Sequence, residues 1–279
     1  MYCSTNRPGP AEHQIVMDVG AYLHRIGYKG PLAPTVDTLG ALHRQHMLTV
    51  PFENLDIGLG REIVLDPERF VEKVAGKRRG GFCYELNGAF STLLTAMGFR
   101  VTLLSARVAN EQGIASKEFD HLALRIDLED PWLADVGFGD NFLEPLRLAS
   151  ATEQQDAAGN FRLMDVGERW RMERQQPTGS WLLQYDFTLA PRQLSEFAGM
   201  CRYHQTSPES SFTRHRTCSL ATPNGRVTLA GMRLFVTTNG RKQERLLTTE
   251  ADWHLALRNH FGIVLDQDAQ MQCEAGEAS

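Results

Sequence analysis

Cys83 is the residue of this sequence best placed to act as a nucleophile. It follows the pair Gly80-Gly81 and opens a run in which apolar residues recur at helical spacing. The first turn of a helix presents unpaired N–H groups and the positive end of the helix dipole, which together stabilise a thiolate. Two adjacent glycines allow a tight turn and leave the approach to the sulfur open. The position therefore favours a reactive thiolate about as strongly as it favours a small buried core residue.

A thiolate nucleophile needs a base and an acceptor that orients the base, and His121 and Asp135 are the candidates. His121 begins the strand-like run 121–126, and Asp135 lies in the apolar run 132–136 ahead of Gly137. A carboxylate inside an apolar strand is costly unless it is paired, and two adjacent antiparallel strands would place it beside the imidazole. Taken alone, each residue fits a structural role better, His121 as a satisfied core histidine and Asp135 as a turn residue. The spacing by itself does not establish a catalytic triad.

The other histidines and cysteines do not indicate a metal site. His43 and His46 lie three residues apart on a predicted helix with no carboxylate at ligand spacing, which favours a surface or core role. His204, close to Cys201, is interpreted as a packing residue at the end of a short helix. The sequence contains neither CxxC nor HExxH, and its five cysteines are scattered. That usage argues against zinc and a disulfide framework and fits a reducing compartment.

The elements that position these residues are predicted to be helical first and strand-rich afterwards. Helices are expected over 12–26, from the N-cap Thr35 through residue 46, over 66–76 from the Asp66-Pro67 start, over 86–97, over 191–203 and over 250–261. Strands are expected over 50–57, 100–108, 121–128, 132–136 and 181–189, with hairpin turns at Asn224-Gly225 and Asn239-Gly240. Residues 153–176 are polar and are interpreted as irregular, and residues 1–11 as a disordered lead-in.

Composition excludes several classes of protein. The 279 residues are 42% hydrophobic and 23% charged, which is ordinary for a globular protein of two or three small domains. A net charge of −5 gives no basic excess for nucleic acid. No apolar run approaches the roughly 18 to 20 residues that span a bilayer, and the polar N-terminus has no secretory h-region. We therefore expect a cytoplasmic protein without a nucleic-acid or membrane partner.

The sequence RGGFCYE at 79–85 resembles the active-site signature of the arylamine N-acetyltransferases. Four further segments resemble motifs of that family in the same order, namely VPFENL at 50–55, the residues around His121, DVGFG at 135–139 and YHQTSP at 203–208. Any one of them would be suggestive, and five in order are specific. The resemblance extends over about residues 17 to 265.

This resemblance implies a Cys-His-Asp triad of Cys83, His121 and Asp135. It implies an α+β fold in which a helical N-terminal domain, a β-barrel-like middle domain and an α/β C-terminal lid surround a cysteine-protease-like core. The corresponding segments are 1–103 with the nucleophile, 104–210 with the histidine and aspartate, and 211–279 as the lid.

The activity that the resemblance implies is acetyl transfer by a ping-pong mechanism through acetyl-Cys83. The donor is acetyl-coenzyme A and the acceptors are arylamines, arylhydrazines or N-hydroxyarylamines, with no permanently bound cofactor and no metal. Phe138 and Gly139 are expected to contact coenzyme A. Three alternatives stay open: a family-related amide synthase, a thiol hydrolase or transglutaminase-like enzyme, and a non-enzymatic binding module in which Cys83 is buried. Glu53 and Arg79, each beside apolar or glycine-rich sequence, are predicted to form a buried ion pair.

Overall fold

The computed structural model describes residues 17–149 and 151–265 of the chain. Its helices, in chain order, are α1 (Val19–Ile26), α2 (Val36–Thr49), α3 (Leu55–Gly58), α4 (Pro67–Val71), α5 (Cys83–Ala96), α6 (Ala198–Thr206), α7 (Ser211–Arg214) and α8 (Glu250–Phe261). A π-helical turn, Glu72–Gly76, continues α4, and a 3-10 turn, Leu194–Phe197, precedes α6. Among the described residues, no helix combines the length and apolar character needed to cross a membrane.

Side-chain caps fix where the helices begin, much as the sequence predicts. Thr35 and Asp66 accept hydrogen bonds from backbone N–H groups in the first turns of α2 and α4, and Gly262 ends α8 in a left-handed conformation. The first helix is shorter than predicted, because Asp18 caps it at Val19. The predicted lead-in 1–11 and the predicted helical residues 12–16 lie outside the described residues.

The largest sheet has eight antiparallel strands in the order β5-β4-β3-β2-β9-β8-β7-β6. These strands are β2 (Arg100–Val108), β3 (His121–Asp127), β4 (Pro131–Ala134), β5 (Leu146–Arg147), β6 (Glu153–Asp156), β7 (Gly159–Asp165), β8 (Trp170–Gln175) and β9 (Trp181–Phe187). The two edge strands meet, because Arg147 and Gln154 exchange hydrogen bonds of 2.7 and 3.0 Å. The sheet is therefore a nearly closed barrel.

The expectation that residues 153–176 are irregular is wrong, because they form β6, β7 and β8. Phe161, Leu163 and Met172 point into the barrel and are buried. The polar residues between them face outward and pair across the strands, as Arg162 does with Glu173 at 2.7 Å. An antiparallel sheet needs only one apolar face, so three inward residues suffice to hold this polar segment in the barrel.

A second sheet of five strands has the order β1-β10-β11-β12-β13. Its strands are β1 (Phe52–Glu53), β10 (Thr217–Thr222), β11 (Gly225–Ala230), β12 (Arg233–Thr238) and β13 (Arg241–Leu246). Both predicted hairpins form, and the turn at Asn239-Gly240 is confirmed. The first turn lies one residue earlier than predicted, at Pro223-Asn224, because Gly225 already pairs with Thr222 as the first residue of β11. The predicted extended run 50–57 is only partly correct, since β1 spans two residues and α3 follows at once.

Helix α5 is the element that joins the helical part of the chain to the barrel. Its apolar stripe, which includes Leu86, Phe90, Leu93 and Leu94, is fully buried, and the helix packs against β2 and β3. The region 191–203, which was predicted to be one helix, instead forms the 3-10 turn followed by α6. Because α5 is buried on nearly every side, its first residue has a fixed position relative to the start of β3.

Candidate active site

Cys83 is the first residue of α5 and only 4% exposed. The helix start is fixed by Glu85, whose Oε2 accepts a hydrogen bond from the backbone N–H of Phe82 at 3.1 Å. The two preceding glycines are required by close packing, because a Cβ on Gly80 would lie 1.8 Å from the carbonyl oxygen of Pro51. The sequence predicted that they open the approach to the sulfur, whereas in the structure they let β1 lie against the turn.

His121 and Asp135 meet in a buried hydrogen bond of 2.8 Å between Nε2 and Oδ2. His121 is the first residue of β3, and Asp135 directly follows β4, which pairs with β3 in antiparallel register. The side chain of Cys83 lies close enough to the imidazole of His121 to raise its pKa. The structure thus brings the three predicted residues together in one buried cluster, with the imidazole between the thiol and the carboxylate.

Asp135 accepts four hydrogen bonds and is completely buried. Besides His121, its donors are Asn87 Nδ2 at 2.8 Å, the backbone N–H of Gly137 at 3.0 Å and Asn141 Nδ2 at 3.2 Å. Sequence reasoning missed both asparagines. For Asn87 a signal exists, because a polar residue stands four positions after Cys83 and therefore on the same face of α5.

His43 supports Asp135 from the other side. Its Nε2 accepts the backbone N–H of Asp135 at 3.1 Å, so Nδ1 carries the proton and donates it to the carbonyl oxygen of Leu143 at 2.8 Å. Burial lowers the pKa of His43, despite the opposing effect of these hydrogen bonds and of the Asp135 charge. The sequence left a surface or core role for His43 and His46. Both are fully buried core residues.

The charges of the cluster favour an imidazolium. Burial by itself would lower the pKa of His121, but the charge and hydrogen bond of Asp135, together with Cys83, outweigh it and raise that pKa to about 10. Burial likewise opposes ionisation of Asp135, and His121, Asn87 and Gly137 overcome it and lower the pKa of this carboxyl. The arrangement is therefore suited to a charged imidazolium beside a thiol, which is how a cysteine nucleophile is activated.

Aromatic rings enclose the cluster. The ring of Phe138 stands edge-on to that of His121 at 5.4 Å between centroids, and Tyr185 lies 5.3 Å away on the same imidazole. Phe52 packs against Gly139 and lies 6.1 Å from Phe212. Phe138 and Gly139, the predicted coenzyme A residues, therefore adjoin the cluster. Their contact with coenzyme A stays a prediction.

A second polar cluster lies beneath the start of α5. Arg79 binds Glu53 Oε1 through Nε at 3.0 Å and through Nη2 at 2.8 Å, which confirms the predicted buried pair. Asp56 and Lys73 extend it, and Lys73 Nζ lies 2.7 Å from Glu85 Oε1. Three carboxylates thus share two cations at the base of the helix that carries Cys83.

His204 lies in α6 and is buried, as a packing residue would be. Its ring packs against Tyr84 and Phe212, at 6.1 and 5.1 Å between centroids, and its Nε2 lies 3.2 Å from Asp120 Oδ1. Within residues 17–149 and 151–265, no group of three or more His, Cys, Asp or Glu side chains is arranged to hold a metal ion.

Comparison with known proteins identifies the family. A family model described as N-acetyltransferase matches residues 35–270. The arylamine N-acetyltransferase of Escherichia coli is 35% identical over 249 residues, covering 88% of each chain. A Mycobacterium smegmatis N-arylamine acetyltransferase structure superposes with a TM-score of 0.86 at 32% identity, covering 93% of this chain and 100% of that one. The Mycobacterium marinum enzyme, solved in complex with CoA, has a TM-score of 0.83 at 31% identity and covers 88% and 93%. This chain therefore belongs to the arylamine N-acetyltransferase family and is an acyltransferase.

Proposed function

We propose that this protein transfers an acetyl group from acetyl-coenzyme A to an arylamine, arylhydrazine or N-hydroxyarylamine through an acetyl-Cys83 intermediate. The observation that carries the proposal is the buried chain of contacts from Cys83 through His121 to Asp135. The family supports it, as does the relative solved in complex with CoA.

In the first half-reaction, the Cys83 thiolate attacks the thioester carbonyl of acetyl-coenzyme A. A bond forms between the carbonyl carbon and Cys83 Sγ, and the bond to the coenzyme sulfur breaks. The departing coenzyme A thiolate takes the proton of the His121 imidazolium and leaves as the thiol. The backbone N–H of Cys83, in the first turn of α5, is suited to hold the carbonyl oxygen as it becomes negative.

In the second half-reaction, the amine nitrogen of the acceptor attacks acetyl-Cys83. Its proton passes to His121, which the first half-reaction left neutral, and Cys83 leaves as a thiolate. The thiolate and imidazolium are then restored. Asp135 takes no proton in either step, but it holds the imidazole through Nε2, stabilises its positive charge and leaves Nδ1 for proton exchange.

The surroundings of the cluster support an aromatic acceptor. Phe52, Phe138 and Phe212 offer apolar ring surfaces near Cys83 and His121, and rings of this kind stack with aryl groups. The proposal includes coenzyme A contacts at Phe138 and Gly139 and the division into segments 1–103, 104–210 and 211–279. It also includes a cytoplasmic place of action, supported by three free thiols among the described residues.

Intact-mass measurement after incubation with acetyl-coenzyme A alone tests the proposal. We expect one added acetyl group, located on Cys83 by peptide mapping, and its loss when an aniline is added. Cys83→Ser and Cys83→Ala should gain no acetyl group and lose turnover with little loss of fold, whereas the matched control Cys201→Ser should be acetylated normally. Absence of the acetyl-enzyme, or substantial turnover by Cys83→Ala, would contradict the nucleophile assignment. A thiol hydrolase would cleave amides without becoming acetylated, and an amide synthase would not acetylate simple anilines.

A further inference from the structure

Two arginines from different sheets converge on one carboxylate beside the candidate active site. Arg226 of β11 donates from Nε to Asp140 Oδ1 at 3.1 Å, and Arg174 of β8 places Nη1 3.2 Å from the same oxygen. Each arginine is held from behind, since Arg226 Nη1 bonds Ser219 Oγ at 3.1 Å and Arg174 Nη2 bonds the carbonyl of Ala158 at 2.6 Å. We call Arg174, Arg226 and Asp140 the Asp140 cluster.

The Asp140 cluster adjoins the aromatic rings that surround Cys83 and His121. Asp140 directly follows Gly139, which packs against Phe52. Phe52 is paired in register with Ser219, the residue whose hydroxyl group contacts Arg226. The cluster therefore lies where the barrel, the second sheet and the 135–139 segment meet, and Gly137 of that segment adjoins Cys83.

The charges within the cluster are unbalanced. Two guanidinium groups share a single carboxylate oxygen of Asp140. Because Asp140 is 58% exposed, water screens the attraction of its negative charge for the two positive charges. Burial lowers the pKa of Arg226, and the nearby charge of Arg174 lowers it further while Asp140 raises it. A second anion would relieve this repulsion. The cluster thus holds a local excess of one positive charge in a chain whose net charge is −5.

Both arginines also retain free donors. Among the described residues, Nη2 of Arg226 and Nε of Arg174 have no hydrogen-bond partner. Gly159 lies beside Nε of Arg174, where a Cβ would be in van der Waals contact at 3.5 Å, so the glycine leaves this nitrogen without a side chain over it. Guanidinium groups bind phosphate oxygens in a planar, two-point geometry, so two of them in fixed positions suit a phosphate better than a carboxylate.

We propose that Arg174 and Arg226 bind a phosphate group of the donor coenzyme A and so position its thioester arm toward Cys83. This inference rests on the proposed function, since it assigns the phosphate site of the same donor. Asp140 holds the two guanidinium groups in place and weakens their attraction for anions other than coenzyme A.

Donors with and without phosphates test this assignment. Arg174→Gln and Arg226→Gln should each raise KM for acetyl-coenzyme A about tenfold, the cost of losing a hydrogen bond to a charged group, with kcat little changed. Kinetics with acetyl-pantetheine, which carries no phosphate, should be unchanged. Arg162→Gln is the matched control, because Arg162 lies on the adjacent strand β7 with similar exposure but pairs with Glu173 instead. It should leave both donors unaffected.

The outcomes separate the possible explanations. Equal losses with both donors would show that the arginines only support the fold and would overturn the proposal, as would an unchanged KM for acetyl-coenzyme A. Adenosine 3′,5′-bisphosphate should bind the wild-type protein in calorimetry and bind both variants at least several-fold more weakly. Equal binding would overturn the proposal. Thermal melting shows whether a variant folds. If Arg226→Gln does not fold, the kinetics and calorimetry of Arg174→Gln decide the question, because Arg174 is the more exposed of the two arginines. If acetyl-Cys83 never forms from either donor, the proposed function fails, whereas the bisphosphate titration still tests the anion site.

Discussion

Replacing Asp135 with asparagine should change the protonation of His121 with little change in shape. The carboxylate accepts from two donors at each oxygen, Asn87 and Gly137 at Oδ1, and His121 and Asn141 at Oδ2. An asparagine has one oxygen, so its NH₂ group must face two donors in either orientation. If the asparagine oxygen takes the place of Oδ1, its NH₂ group points at His121 Nε2. This ring nitrogen can accept a hydrogen bond from the NH₂ group only when the nitrogen itself carries no proton. The proton of the neutral ring then resides on Nδ1.

The magnitude follows from the two states of the imidazole. With Asp135 present, the pKa of His121 is about 10, and nearly every ring is charged at neutral pH. Without the carboxylate, burial dominates and the pKa should fall below the ordinary value of about 6.5, so that at about pH 7.5 fewer than about one ring in ten is charged. The equivalent change in a serine triad costs about 10⁴-fold in rate. We expect a loss of about 10³- to 10⁴-fold in acetylation.

The pH dependence of Cys83 alkylation separates two causes of this loss. If Asp135 mainly orients the ring, iodoacetamide should still modify Cys83 at the wild-type rate while both half-reactions slow. If it mainly maintains the imidazolium that stabilises the thiolate, the alkylation profile should shift to higher pH. We expect the second result, because thiolates gain more than alcohols from a neighbouring cation. An Asp135→Asn profile that matches wild type at every pH would refute this reasoning. Asp186→Asn is the control, since it removes a buried carboxylate that pairs with Arg107 and Arg169.

Three further results are expected. Iodoacetamide should modify Cys83 much faster than Cys201 or Cys218, because burial raises the pKa of Cys201 to about 12 and that of Cys218 well above its ordinary value; equal rates by peptide mapping would count against an activated thiol. Arg79→Gln should lower the free energy of unfolding by about 3–5 kcal/mol by leaving buried carboxylates uncompensated, and wild-type melting would refute this. Burial raises the pKa of Glu85 from 4.5 to about 7, so the stability that its neutral form contributes is present below pH 4.5 and lost as the pH rises through 7. Denaturant titrations should show this loss in wild type and a flatter dependence in Glu85→Gln; the same slope in both would contradict it.

Local signals in the sequence were sufficient for the elements that carry the reactive groups. The apolar stripe of α5 and the caps at Thr35 and Asp66 each depend on residues a few positions apart, and all agree with the structure. The strands over 121–128 and 132–136 were predicted from their apolar runs. The first begins at His121 as expected, whereas the second ends at Ala134, so Asp135 follows the strand and does not lie within it. Their pairing follows from the short connection between them.

Signals that depend on distant partners could not be read in the same way. Strands β6 to β8 are polar along most of their length, and only the closure of the barrel gives Phe161 and Met172 a core to enter. His43 is 92 positions from Asp135, and no pattern near either residue indicates their hydrogen bond. The boundaries of the three segments and the coenzyme A contacts stay predictions for the same reason, since they depend on surfaces that form only after folding.

Asn87 links the helix that carries Cys83 to Asp135, and its position could have been inferred from local spacing. It stands one helical turn after Cys83, so α5 carries both the sulfur and the amide that bonds Asp135. Gly137 completes the contact, because a Cβ there would lie 2.7 Å from Cys83 Cα and 2.8 Å from Asn87 Nδ2. A shift of α5 would therefore move the thiol and the support of the carboxylate together. The spacing between Cys83 and Asp135 thus depends on the packing of one helix face against one glycine.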